Sequence, residues 1–140
     1  MKALSIRHPA IATLLAGHRS LEVRRLPSRH RGEMLLHASA TFGPKERLEL
    51  ERLRALGLSL SEPAPEQRGA LLGVCDLTDC RRMTAADWER ALLEPSPVER
   101  WAWQLESVEA FPEPVRWRGH LFVFEVQDAD LQAALAAPSR

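Results

Sequence analysis

Residues 69–78 form a near-continuous apolar run, GALLGVCDLT, broken by the single charge of Asp76. A stretch of this length bounded by turn residues suits a strand at the centre of a sheet. The rest of the chain has to supply its neighbours. The whole has 140 residues, room for one domain over residues 1–140 and little more. Apolar residues at 45% and charged residues at 27% argue against a mainly disordered chain. Cys75 and Cys80 lie on the same expected strand, about 16 Å apart at 3.3 Å per residue, whereas a disulfide needs Cα atoms closer than about 7 Å. Two inert thiols follow, and without a Cys/His cluster neither a zinc site nor any other metal is expected. The early apolar stretch at residues 10–17 is far shorter than a spanning helix, and Arg7 and His8 interrupt any signal-peptide core, so a cytoplasmic protein is expected.

The punctuation predicts the remaining elements. Residues 3–6 read as a short strand, and Pro9 opens a helix at the first helical position. In that helix Ile11, Leu14 and Leu15 make one stripe, and Gly17 supplies a left-handed cap. Strands follow at residues 21–24 and 32–38, with a turn at Pro27-Ser28. Gly43-Pro44 starts a charged surface helix to about Leu56, with Leu50, Leu53 and Leu56 inward. Residues 58–68 read as a loop. Thr84 and Asp87 resemble a capping box for a helix with Trp88, Ala91 and Leu92 inward, ended by Pro95 and Pro97. Strands at 101–111, 115–118 and 120–126 precede a helix capped by Asp128 that runs through Leu131 and Leu135 until Pro138. Short strands without regular βα alternation, and no Gly-rich phosphate loop, predict an α+β domain built on a small mixed or antiparallel β-barrel with flanking helices.

Charge gives the first functional clue. The formal net charge is zero, yet residues 1–40 hold seven Lys and Arg against two Glu, leaving +5 there and −5 on the remainder. A basic segment on a neutral chain makes a local field for phosphate, although a solvated loop would look the same. The five histidines show no metal-ligand spacing. Polar residues gather instead at the ends of the first helix: Arg7 and His8 before it, Arg19, Ser20, Glu22 and Arg24 after it. In an extended segment Ser20, Glu22 and Arg24 share one face, offering a hydroxyl, a carboxylate and a guanidinium to a base edge and a phosphate. A plain Arg24–Glu22 salt bridge is the competing account. Trp101, Trp103 and Trp117 are either stacking platforms or core.

The strings KALSIRHP (residues 2–9), LAGHRSLEVR (15–24), Arg31-Gly32, LHAS (36–39), GALLGVCDL (69–77), WQLESV (103–108) and residues 119–126 together resemble the ASCH (activating signal cointegrator homology) domains of the PUA-like superfamily. The resemblance implies a small PUA-like β-barrel with flanking helices and a cleft holding Arg7, His8, Arg19, Ser20, Glu22, Arg24 and Ser39. It also implies binding of RNA or DNA or recognition of modified bases, and in some relatives catalysis, including acetylcytidine hydrolysis and a reported ribonuclease. The usual Gln-Pro-Trp of such domains is His8-Pro9-Ala10 here. Their Lys-Thr is Arg19-Ser20, which keeps the charge and hydroxyl but removes an amine that burial could tune to act as a base.

The reading that follows is a module for RNA or single-stranded nucleic acid, or for a nucleoside or nucleotide. In it Arg7, Arg19 and Arg24 take phosphate or a base edge, Glu22 accepts from an exocyclic amine, and Arg29 and Arg31 track the backbone. No cofactor is expected. The alternatives are a small nucleoside or RNA hydrolase using Ser20 or Ser39, Glu22 or His8, and Arg19, or a domain for a protein partner.

Overall fold

The computed structural model of the protein describes residues 1–137. Its elements run β1 (Lys2–Ile6), α1 (Ala10–Leu15), β2 (Leu21–Arg24), β3 (Gly32–Ala38), α2 (Pro44–Ala55), β4 (Ala70–Arg82), α3 (Ala85–Arg90), β5 (Trp101–Arg116), β6 (Val123–Glu125) and α4 (Asp128–Ala136). The strands form one sheet in the order β2-β5-β4-β3-β1-β6, curled into a half-barrel with the helices around it. The mixed α+β class expected from the sequence is the class observed. Among the described pairings only β1 with β3 is parallel.

The apolar run of residues 69–78 belongs to β4, which lies between β3 and β5. Its continuity has a simple cause: both faces are buried. Leu72, Cys75 and Leu77 join Leu4, Ile6, Met34 and Leu36 in a core beneath Ile11 and Leu14 of α1. Leu71 packs on the opposite face with Ala3, Leu35, Phe124, Val126 and Leu131 of α4. Leu72 is an extra residue in the ladder, since Leu36 pairs with Gly73 and His37 with Leu71. Such a bulge bends a strand and reverses which alternate residues face each side. Gly73 is required beside it, because a Cβ there would lie 2.5 Å from the Glu109 carbonyl oxygen.

Several boundaries differ from expectation. Pro9 is the N-cap of α1, not its first turn, after a cis His8–Pro9 bond, while Gly17 has the left-handed φ of +79° predicted for it. Leu50 and Leu53 of α2 are buried but Leu56 is 56% exposed. Three-residue spacing drifts about 60° round a helix at each step, which carries Leu56 off the buried face. The two strands expected at 101–111 and 115–118 are one. Leu71 pairs with Val115 and Gly73 with Ala110, so Pro112 and Pro114 occupy a wide bulge where the ladder needs no N–H from them. The last strand shrinks to three residues, leaving His120, Leu121 and Phe122 as a connection before it. Pro138, the expected stop of α4, lies outside the described residues.

The capping box of α3 forms as read. Thr84 donates from N and Oγ1 to Asp87 Oδ2 at 2.7 and 2.9 Å, and Arg81 Nη2 donates to Asp87 Oδ1 at 2.7 Å. Hydrogen bonding from Arg81 is the main cause that holds this carboxyl well below the usual carboxylate range. Ala91 is buried, while Trp88 and Leu92 are half-buried. Cys75 and Cys80 are free thiols on β4. Burial, helped by Asp76, pushes the Cys75 thiol up to about 12. No helix among the described residues is long and apolar enough to cross a membrane.

Candidate functional site

α1 begins at the end of β1 and delivers the chain to β2, so the residues before and after it meet on one side of the sheet. A cleft of about 560 Å³ opens there, bounded further by α2, residues 91–93 after α3 and the connection before β6. Of the residues singled out in the sequence, Arg7, Arg19, Glu22, Arg24 and Ser39 line it.

Its floor is a buried ionic network. Arg19 is 8% exposed and Glu22 6%. Arg19 donates from Nε to Thr13 Oγ1 at 2.7 Å, from Nη1 to the Leu21 carbonyl at 2.5 Å, and from Nη2 to the Ala10 carbonyl and Glu22 Oε1, both at 3.2 Å. Most of its five N–H donors are therefore spent inside the protein. Arg19 positions Glu22 and does not present the free guanidinium that the sequence reading assigned to it. Arg24 is different: Nη1 donates to Glu22 Oε2 at 3.3 Å and to the Ser5 carbonyl at 3.4 Å, and the side chain is 26% exposed. Each Glu22 oxygen takes one of these guanidiniums, so each keeps a lone pair for a further donor. Arg7 stands at the rim, 62% exposed and 3.8 Å from Glu46.

Other sequence candidates lie elsewhere. His8 is buried with Nε2 2.8 Å from the Gln67 carbonyl oxygen, and burial holds its pKa below the ordinary value. It anchors the turn at Pro65–Gln67 and does not line the cleft. Ser20 accepts from Gln104 Nε2 at 2.9 Å and borders a separate depression with Gly17, His18 and Arg90. Arg19 lines that depression as well as the cleft, whereas Glu22 lines the cleft and Ser20 the depression. Arg29 and Arg31 are exposed in the loop between β2 and β3, where Arg31 Nη1 caps the Ser28 and His30 carbonyls at 2.8 Å.

The tryptophans follow the packing account. Trp103 is 4% exposed, donates to the Leu26 carbonyl at 3.0 Å, and carries Arg24 6.0 Å from its ring centre. Trp101 lies beneath Arg82 at 5.4 Å, and none of Trp101, Trp103 and Trp117 lines the cleft. Sequence reasoning missed Ser5, Thr13 and Thr41 in the lining, and the rim of His120, Leu121 and Phe122. Leu121 is 85% exposed and Phe122 67%, with a φ of +62° at Phe122. In the sequence these residues are indistinguishable from the start of the strand expected at 120–126, so no signal set the rim apart.

The sequence profile of the ASCH domain matches residues 4–115. The chain belongs to the ASCH domain family. The ASCH protein of Zymomonas mobilis has a similar crystal structure, with a TM-score of 0.60 at 11% identity over 99% of this chain and 96% of that one. A Tyr-to-Phe variant of the same protein gives 0.60 at 11% identity over 99% and 98% of the two chains. Its Ser-to-Ala variant gives 0.59 at 11% over 96% and 94%. At that identity the likeness concerns the fold alone, and it agrees with the half-barrel of this ASCH domain. A search of curated proteins finds no match. The ASCH domain has a PUA-like fold often linked to RNA binding.

Proposed function

We propose that this ASCH domain, as one unit over residues 1–140, binds single-stranded nucleic acid, RNA in preference to DNA, or a nucleotide derived from it. The observation that carries the reading is the cleft floor, where a buried carboxylate with free lone pairs is held between an immobilised and a partly exposed arginine. Glu22 offers an acceptor to an exocyclic amine, while Arg24 and Arg7 offer positive charge to the adjoining phosphates. Arg29 and Arg31, outside the cleft, extend the positive surface along a backbone and carry no base preference. Ser39 and Thr41 add hydroxyls to the wall. Two free thiols support a reducing, cytoplasmic setting.

Anisotropy of a labelled short RNA, titrated from low to physiological salt, tests this. Binding in the micromolar range or weaker is expected, with log affinity falling by about 0.7 per phosphate contact for each tenfold rise in salt. Absence of binding at the lowest salt for RNA, single-stranded DNA and nucleotides overturns the reading.

A further inference from the structure

The parallel register of β1 and β3 sets Ser5 opposite His37, two residues that no motif links. The Ser5 hydroxyl lies 3.0 Å from His37 Nδ1, and His37 Nε2 lies 2.7 Å from the Trp117 carbonyl oxygen. A carbonyl oxygen only accepts, so Nε2 carries the ring proton. Nδ1 is then the acceptor, and the Ser5 hydroxyl donates to it. The ring is 1% exposed and has no room to swing. A Cβ on Gly119 would stand 2.5 Å from its Cε1, and Phe124 packs edge-on at 5.8 Å. Burial keeps the imidazole pKa below its ordinary value, with His120 acting in the same direction.

A hydroxyl, an imidazole lone pair and a third group that fixes the tautomer are the parts of an activated serine. Ser5 is also reachable. It is half-buried and borders both the cleft and a neighbouring depression of about 910 Å³, which contains His37 and the exposed Arg116 and Arg118.

We infer that Ser5 is a nucleophilic serine, with His37 as its base, that cleaves small acyl esters bearing a negative charge. Arg116 and Arg118 attract that charge. In the first step Ser5 Oγ bonds to the acyl carbon and its proton passes to His37 Nδ1. The bond from the acyl carbon to the leaving oxygen breaks, and that oxygen takes the proton from Nδ1. In the second step water attacks the acyl-serine, again giving its proton to Nδ1, from which Ser5 Oγ recovers it as the carboxylic acid departs. The Trp117 carbonyl oxygen holds the imidazolium that forms in between. None of this depends on the cleft binding nucleic acid.

The test uses the full chain with p-nitrophenyl hemisuccinate and p-nitrophenyl acetate, read by nitrophenolate release and by the mass of the tryptic peptide of residues 3–7, where Ser5 is the sole hydroxyl. Acylation of that peptide is expected in the folded chain and not in the urea-unfolded one, with the hemisuccinate reacting about tenfold faster. Ser5→Ala abolishes the label and His37→Gln slows it roughly a hundredfold. Because His37 is a core position, Ser5→Cys serves as a second variant, its thiol alkylating faster with iodoacetamide in the folded chain than in the unfolded one. No acylation of residues 3–7, or an equal rate after unfolding, overturns the nucleophile. Equal rates for the two esters overturn the anionic substrate. Alkylation of the Ser5→Cys variant that is no faster at this position in the folded chain overturns the role of His37.

Discussion

The cleft floor and the loop between β2 and β3 contain the same residue type under opposite conditions. On the floor, Arg19 is buried and donates to Thr13, Leu21, Ala10 and Glu22. In the loop, Arg25, Arg29 and Arg31 are exposed. A net charge of +5 over residues 1–40 counts these arginines equally, yet Arg19 is spent inside the protein while the loop arginines, Arg7 at the rim and the partly exposed Arg24 keep charge for a ligand. Local charge locates a segment worth inspecting, whereas burial decides which charges build the site and which meet the ligand.

Stability separates the two regions most widely. Glu22→Ala leaves Arg19 as an uncompensated buried cation and is expected to cost about 3–5 kcal/mol, whereas Arg29→Ala with Arg31→Ala stays within about 0.5 kcal/mol. Urea denaturation of the two variants measures this, and equal midpoints would erase the contrast. Selectivity is the next effect in size. Glu22→Gln keeps the shape but turns half an acceptor into a donor, and is expected to shift preference among short homopolymers by about 1–3 kcal/mol, while the loop variant leaves the ratios untouched. Competition titrations at fixed salt decide it. Salt dependence reverses the ranking: the loop variant lowers the slope of log affinity against log salt by about 1.4, and Glu22→Gln leaves it unchanged.

Acid sharpens the same division by a smaller amount. His8 and His37 are buried, and desolvation lowers both pKa values from the ordinary 6.5. A depressed pKa means that the unfolded chain binds protons first as pH falls, so their contribution is complete above pH 6.5 and is lost as pH drops through the folded values. Thermal midpoints should be level from pH 8 to about 7 and decline below, with His8→Asn reducing the decline. An unchanged decline in that variant would remove His8 from the account.

Much of the fold was legible because glycine and proline punctuate it. The bounds of β2 and β3 follow from the helix stop at Gly17, the turn at Pro27 and the start at Gly32. Pro112 and Pro114 misled for the same reason: they read as a break, but a bulge in β5 absorbs them without interrupting the strand. Of the cleft, the part carried by neighbours in sequence was readable, namely Arg7, Arg19, Glu22 and Arg24 at the two ends of α1. Ser5 facing His37 was not, since 32 residues separate them and no local turn fixes the register of a parallel pair such as β1 and β3. His8 looked like its neighbour Arg7, but it turns into the protein toward Gln67, a direction that adjacency cannot specify.

The shortest strand has a dynamic consequence. β6 is tied to the sheet through Lys2–Glu125, Ala3–Phe124 and Leu4–Val123, and the cleft rim at residues 120–122 joins the body through it. A three-residue edge strand is expected to unzip at a fraction of the global unfolding free energy, opening this wall while β3, β4 and β5 stay closed. Amide hydrogens of residues 123–125 should then exchange with solvent well before those of residues 71–77. A ligand that touches the rim should slow the first group alone, which makes exchange at the edge a gauge of occupancy in the cleft.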